Sequence, residues 1–385
     1  MIKHILGAVV VSFLTTMTFA QDYKQIHKDM IVVDGHNDVI ISSILKGRDI
    51  GQRLDKGHTD IPRLIEGGVD VQVFAVWSDD KKWKTGAFKH ANDQIDALEN
   101  VINRNTDKIE IAKSYADIMR IQAAGKIAAV IGIEGGNMIE ESIDNLEYLY
   151  NRGARYLTLT WNYNLPWVTA AALEDKKSTN EQKGLTKEGK YIIRKMNQLG
   201  MMVDLSHASK KTFYDVMKVS KKPVLVSHSN AAALAPHSRN LDDKQLKALK
   251  KNKGVVGVNF YSGFLDSDFD GRLKSVYEEQ FNKKPTDKMS SWAQYDKLTA
   301  ANKLRVDAPL ERLLEHIDYL VSKVGIDHVA IGSDFDGIES SPLGLGDVST
   351  FPILTKSLLE RGYTKEDVSK IMGLNFLRIL KENEG

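Results

Sequence analysis

MIVVDGHND, residues 30–38, decides how the rest of the chain is read. It begins as an apolar, β-branched run of strand length and ends in a polar cluster, Asp34-Gly35-His36-Asn37-Asp38. A short run that is continuously apolar, rather than alternating, suits a strand covered on both faces. The same plan recurs outward along the chain at 69–76, 127–133, 155–160, 201–205, 223–226, 254–260 and 329–332, which makes eight candidate strands. Most gaps hold a helical pattern, as at 92–103, 143–151, 187–199 and 242–251. Strand and helix repeated eight times predict an α/β fold of the (β/α)8 TIM-like barrel type. An open doubly wound sheet shares that local pattern, so the polar strand ends must discriminate. Glu134 follows the third run, Ser206-His207 the fifth, Ser227-His228 the sixth and Asp334 the eighth. A barrel brings such ends to one face, whereas an open sheet spreads them at about 4.8 Å per strand. Convergence favours the barrel.

Composition agrees with one compact, folded domain. Of 385 residues, 42% are hydrophobic and 27% charged, enough to bury a sizeable core and too few charges for a disordered chain. Lys plus Arg number 53 against 51 Asp plus Glu, a balance that argues against binding a nucleic-acid backbone. No tandem period or low-complexity tract indicates a solenoid or linker array.

Residues 1–20, MIKHILGAVVVSFLTTMTFA, carry Lys3, an apolar stretch and small residues before Gln21, the pattern of a cleaved secretory signal. Thr15, Thr16 and Thr18 interrupt the apolar stretch too early for a membrane anchor, which needs about 20 residues. The expectation is a secreted or periplasmic protein cut near Ala20. It would then be one domain, 21–385, carrying an insertion at 262–304. With no Cys at all, its stability must come from packing or metals. The polar ending after Leu380 lacks the hydrophobic tail of a GPI signal.

His36 and Asp38 stand two residues apart at a strand end, so both side chains can point into the barrel mouth. Alone, that spacing is common in structural roles. Glu134, His207 and His228 at three further strand ends complete three imidazoles and two carboxylates, the donor set of a two-metal hydrolytic centre sharing one carboxylate. The remaining histidines of the mature chain, among them His27, His58, His90, His237, His316 and His328, fall in predicted helices, loops or strand starts and read as surface or packing residues. Asp266, Asp268, Asp270 and Gly271 open like a calcium loop, but the closing position 277 is Tyr277. The same letters, SDFDG, recur at 333–337 directly after a strand, which places Asp334 at the mouth. Arg239, soon after His228, can clamp a carboxylate through paired hydrogen bonds.

At these positions the chain resembles the membrane dipeptidase (renal dipeptidase) family of zinc peptidases, peptidase family M19. The resembling segments are VVDGHNDV (32–39), IGIEGG (131–136), RYLTLTWNYNLPW (155–167), GMMVDLSHAS (200–209), PVLVSHSN (223–230), RN (239–240) and IGSDFDG (331–337). The resemblance implies a metallo-dependent hydrolase barrel with two Zn2+ per chain. His36 and Asp38 would bind one metal, His207 and His228 the other, and Glu134 would bridge them. Asp334 matches the family's acid/base aspartate and Arg239 the arginine that recognises the substrate's terminal carboxylate. A hydroxide shared by the two cations would attack the peptide carbonyl, and Asp334 would pass a proton to the leaving amine.

One position departs from the family. Better-known members follow the LTLT strand with a His that contacts the substrate carbonyl, and this chain has Trp161. Oxyanion stabilisation then falls on the metals, or on Asn162 or Asn164, and Trp161 and Asn162 become candidate substrate contacts. The expected partners are small dipeptides, with no nucleic acid, no stable membrane anchor, and a homodimer as the candidate assembly. The rival readings are another binuclear amide or lactone hydrolase on the same scaffold, and a non-catalytic periplasmic binding protein derived from such an enzyme. The insertion at 262–304 reads either as a lid over the mouth or as a peripheral helical excursion.

Overall fold

The computed structural model describes residues 23–173 and 184–384; the signal expected at 1–20 lies outside them. All eight expected strands form: β1 (Val33–Asp34), β2 (Val71–Trp77), β4 (Ile127–Glu134), β5 (Ala154–Thr158), β6 (Met202–Asp204), β7 (Leu225–Ser229), β8 (Val255–Val258) and β9 (Val329–Ile331). They pair in parallel in chain order. The ring closes where Gly35 N donates to Ile331 O at 3.0 Å and Asn37 bridges Phe335. The chain is therefore a parallel eight-stranded barrel ringed by helices. One strand was not expected: β3 (Ile109–Ile111) pairs with the start of β4 outside the ring. Three residues carry too little periodicity to announce themselves.

Continuously apolar strands follow from burial on both faces. Along β4, Ala128 and Val130 join Val33, Val73, Met202 and Val255 in one buried cluster, while Ala129, Ile131 and Ile133 join the larger cluster shared with the outer helices. The C-terminal helix Asn375–Glu384 adds Phe376, Leu377, Ile379 and Leu380 to the first cluster, and Asn383 Nδ2 donates to Pro223 O just ahead of β7. That helix thus plugs the end of the barrel opposite the polar strand ends. Each fully buried side chain of this size contributes about 1.5–3 kcal/mol.

Capping chemistry sets the helix bounds. The expected helix at 242–251 runs Asp243–Asn252, because Asp242 stays outside it as a capping box with Gln245. The pattern at 92–103 extends back to Ala87, where Gly86 at φ 77° turns the chain into the helix. The segment 262–304 folds into helices Ser262–Leu265, Phe269–Phe281, Ser291–Asp296 and Ala300–Val306 with a small apolar cluster of its own around Leu273, Tyr277 and Tyr295. Within it, the Asp266 carboxylate is taken by Arg272 at 2.8 Å rather than left free as in a calcium loop. Among the described residues, no helix is long and apolar enough to cross a membrane.

Candidate metal centre and substrate cavity

Alternation along β4 puts Glu134 on the same face as Val130 and Ala128, facing the barrel axis at the strand's C-terminal end. His36 follows β1, His207 follows β6, His228 lies within β7 and Asp334 follows β9. All four, with Asp38, are buried. His207 and Asp334 adopt left-handed backbone at φ 64° and 63°, an uncommon conformation for residues with side chains that recurs at functional sites.

The six side chains converge as the strand-end reading expected. Glu134 Oε1 lies 2.9 Å from His207 Nε2 and 3.6 Å from His228 Nε2, while Oε2 lies 3.3 Å from His36 Nε2. His36 Nε2 is also 3.5 Å from Asp38 and 3.9 Å from Asp334. Two overlapping donor groups result, His36/Glu134/His228 and His36/Asp38/Asp334, each close enough to grip one ion.

Hydrogen bonds behind the imidazoles fix which nitrogen carries the proton. Asp204 accepts from the Ser227 hydroxyl at 2.6 Å, the Thr158 hydroxyl, and the backbone N–H groups of Ser206 and Ser227. With its hydrogen committed to Asp204, Ser227 Oγ accepts from His228 Nδ1–H at 2.8 Å. Asn162 Oδ1 accepts from His207 Nδ1–H at 3.0 Å. Tyr156 OH sits 2.8 Å from His36 Nδ1 and is turned toward Gly35 O. His207 and His228 therefore present Nε2 lone pairs inward, 3.1 Å apart, and His36 turns its Nε2 into the same cup. Lone pairs facing one another among three buried carboxylates repel unless a cation lies between them, and His36 Nε2 has no hydrogen-bond partner among the described residues. The residues fit divalent metal, with Nδ1 partners of the kind that orient metal-binding histidines.

Electrostatics agree. Burial works against charge on His36, but Tyr156 and Glu134 outweigh it and lift its pKa well above the ordinary value, so the site asks for positive charge at Nε2. Burial and the neighbouring cations His36 and Arg239 hold His228 far below its ordinary value, and His207 falls to about 3. Burial raises Glu134, but His36 and His207 reverse this and keep it ionised. Asp334 goes the other way: burial, together with Asp38 and Glu134, pushes it well above the usual carboxylate range. Asn259 Nδ2 donates to its Oδ2 at 2.8 Å.

A cavity of about 480 Å³ opens over this cup, lined by Arg239, Trp161, Trp77, Phe264 and, from the insertion, Trp292. It lies within the range of small-ligand sites. Arg239 donates to His228 O at 3.3 Å and stacks over Phe264 at 5.2 Å, leaving its buried Nε without a partner among the described residues. Burial lowers it only to about 10, so it is charged at neutral pH. Trp161 packs edge-on against Trp77 at 4.9 Å and forms part of the wall. Asn162 spends its oxygen on His207, and Asn164 Oδ1 accepts from Ala170 N at 2.8 Å and does not line this cavity. Of the other histidines, His27 and His316 are buried, hydrogen-bonded packing residues.

Tyr156, Asp204 and Asn259 were not singled out from the sequence. A signal existed for two of them: Asp204 and Asn259 are polar residues set in apolar strand runs, where a buried polar group needs a partner.

The family model for membrane dipeptidase (peptidase family M19) matches residues 20–385. Dipeptidase tcpJ of Claviceps purpurea is 33% identical over 336 residues, 85% of this chain and 70% of its own length. An uncharacterized dipeptidase, C965.12 of Schizosaccharomyces pombe, is 33% identical over 387 residues, 94% of this chain and 83% of its own. Among solved structures, a metallo peptidase from Rhodobacter sphaeroides, liganded with a phosphinate mimic of the dipeptide L-Ala-D-Ala, superposes with a TM-score of 0.74 at 25% identity, covering 92% of this chain and 100% of its own.

Proposed function

This chain belongs to the membrane dipeptidase family, peptidase family M19, a metal-dependent group, and is a hydrolytic enzyme of the dipeptidase type; from that premise we propose that it is an exported, binuclear zinc dipeptidase. The observation that carries the two-metal reading is the division of Glu134, with Oε1 toward His207 and His228 and Oε2 toward His36. His36 and Asp38 would hold one zinc ion, His207 and His228 would hold the second, and Glu134 would be shared between them.

When bound, such a pair supplies a nucleophile from water near neutral pH and draws charge from the scissile carbonyl. The chain's own residues do the rest. Arg239, charged and with a free Nε, takes the substrate's terminal carboxylate, which limits substrates to short peptides with that end free. Asp334, held in orientation by Asn259 Nδ2, passes a proton to the leaving amine. Asn162 holds His207 in register, and Trp161 with Trp77 shuts water out on one side of the reacting bond. Export rests on residues 1–20, and the family match begins only at residue 20. Sequencing the amino terminus of secreted protein should return Gln21 or a close neighbour.

Metal analysis of dialysed protein, coupled to hydrolysis of a panel of L,L and L,D dipeptides, tests the activity. Two equivalents of metal with cleavage is the expected outcome, and two equivalents with the whole panel intact would overturn it. Arg239→Ala should raise KM for dipeptides by about tenfold to a hundredfold while retaining metal, as expected for loss of a charge-assisted pair. An unchanged KM would favour an amide or lactone hydrolase on the same scaffold.

A further inference from the structure

A second cavity, of about 670 Å³, lies between the loops that follow β2, β4 and β5. The loop at 161–167 divides it from the first: Trp161 faces the metal cup, whereas Tyr163 and Trp167 line the second cavity. Nothing in the dipeptidase reading uses it.

Three of its lining residues hold buried polar atoms with no partner among the described residues. Asp80, 8% exposed, accepts from Tyr163 N–H at Oδ2 over 3.2 Å and leaves Oδ1 unmatched. Asn137 donates Nδ2 to the Ser78 hydroxyl at 2.9 Å and leaves Oδ1 unmatched. Trp167, 1% exposed, has an unmatched indole N–H. The edge of that indole abuts Gly136, where a Cβ would come within 2.5 Å of Cζ2, and Gly136 lines the same cavity. Unmatched buried groups are uncommon in folded proteins, so two acceptors and one donor around one cavity ask for a ligand. Burial raises Asp80 to about 6, leaving it largely ionised at neutral pH; Lys81 and Lys84 line the same cavity, but among the described residues neither forms an ion pair with it.

The donor pattern selects the ligand's chemistry. A metal ion would leave the indole N–H unmet, and a phosphate would face the Asp80 and Asn137 oxygens with nothing to donate. A primary ammonium satisfies both acceptors, and a carboxylate oxygen on the same small molecule satisfies the indole. We propose that this cavity is a binding site for a small zwitterion, a free α-amino acid. The site stands apart from the dipeptidase reading, although free amino acids are what that reaction releases.

Ligand-observed NMR titration of the metal-loaded protein with glycine tests it. Glycine should still bind Arg239→Ala, which lacks the carboxylate partner of the first cavity, and its affinity for that protein should fall about tenfold or more when either Asp80→Asn or Trp167→Phe is added, each of which removes one hydrogen-bonded end. Thermal melts of the two variants separate loss of the site from loss of the fold, and Asp80→Asn keeps the acceptor for Tyr163 N. Absence of binding to the wild type, binding abolished by Arg239→Ala, or binding untouched by both cavity variants would overturn the proposal. Loss in Asp80→Asn alone, matched by equal binding of methylammonium, would reduce the ligand to a simple amine and overturn the zwitterion.

Discussion

The hydroxyl of Ser227 links a buried carboxylate to a candidate metal ligand. Asp204 takes its hydrogen, so its oxygen is left to accept from His228 Nδ1 and to keep Nε2 bare. Ser227→Ala should therefore lower metal affinity by about tenfold to a hundredfold, read by competition against a chelator, while the fold persists. At Asp334 the consequence is kinetic. Asp334→Asn removes the proton the leaving amine needs, and kcat should fall by about 10²–10⁴ with metal content unchanged. Loss of metal instead would reassign Asp334 as a ligand, for which its 3.9 Å approach to His36 Nε2 leaves room.

At the scale of elements, β4 and β5 illustrate how strand packing supports chemistry. Gly132 pairs with Tyr156, and a Cβ on Gly132 would come within 2.1 Å of the Tyr156 ring. Only a residue without a side chain lets the Tyr156 ring cross the barrel interior and reach His36. Gly132→Ala should displace that ring, costing about 1–3 kcal/mol in chemical denaturation, and should weaken metal binding along with it. A destabilised variant with undiminished metal affinity would show that Tyr156 does not orient His36. The insertion is a helical excursion with its own apolar cluster that contributes Trp292 to the cavity wall.

For the whole molecule, pH stability is set partly far from the metal cup. His316, on helix Leu310–Val324, accepts from Ala231 N at Nδ1 and donates from Nε2 to Leu265 O, tying that helix to the loop after β7 and to the insertion. Burial lowers its pKa to about 4, whereas the unfolded chain titrates near 6.5. Between those values the unfolded state binds the proton and the folded state does not, so stability is complete above pH 6.5, falls as pH drops toward 4, and loses nothing more from this group below that. The loss should approach about 3 kcal/mol, at 1.36 kcal/mol per pH unit. His316→Gln should flatten this part of the profile in urea melts compared at pH 4 and pH 7; an unchanged slope would assign it to other groups.

Much of this protein was legible from local pattern. Continuous apolar runs announced strands covered on both faces, their order announced a barrel, and the polar residues at the run ends announced the cup, because a barrel's connectivity alone sends all eight C-terminal ends to one face. Short β3 escaped, since three residues hold no period. What the tertiary structure alone decided are contacts between residues far apart in the chain. Tyr156 with His36, Asp204 with Ser227, Gly132 making way for a ring on the next strand, and the unmatched atoms around the second cavity belong to this class. A proton's position on an imidazole depends on which acceptor lies within about 3 Å in space, and one-dimensional spacing carries no such distance.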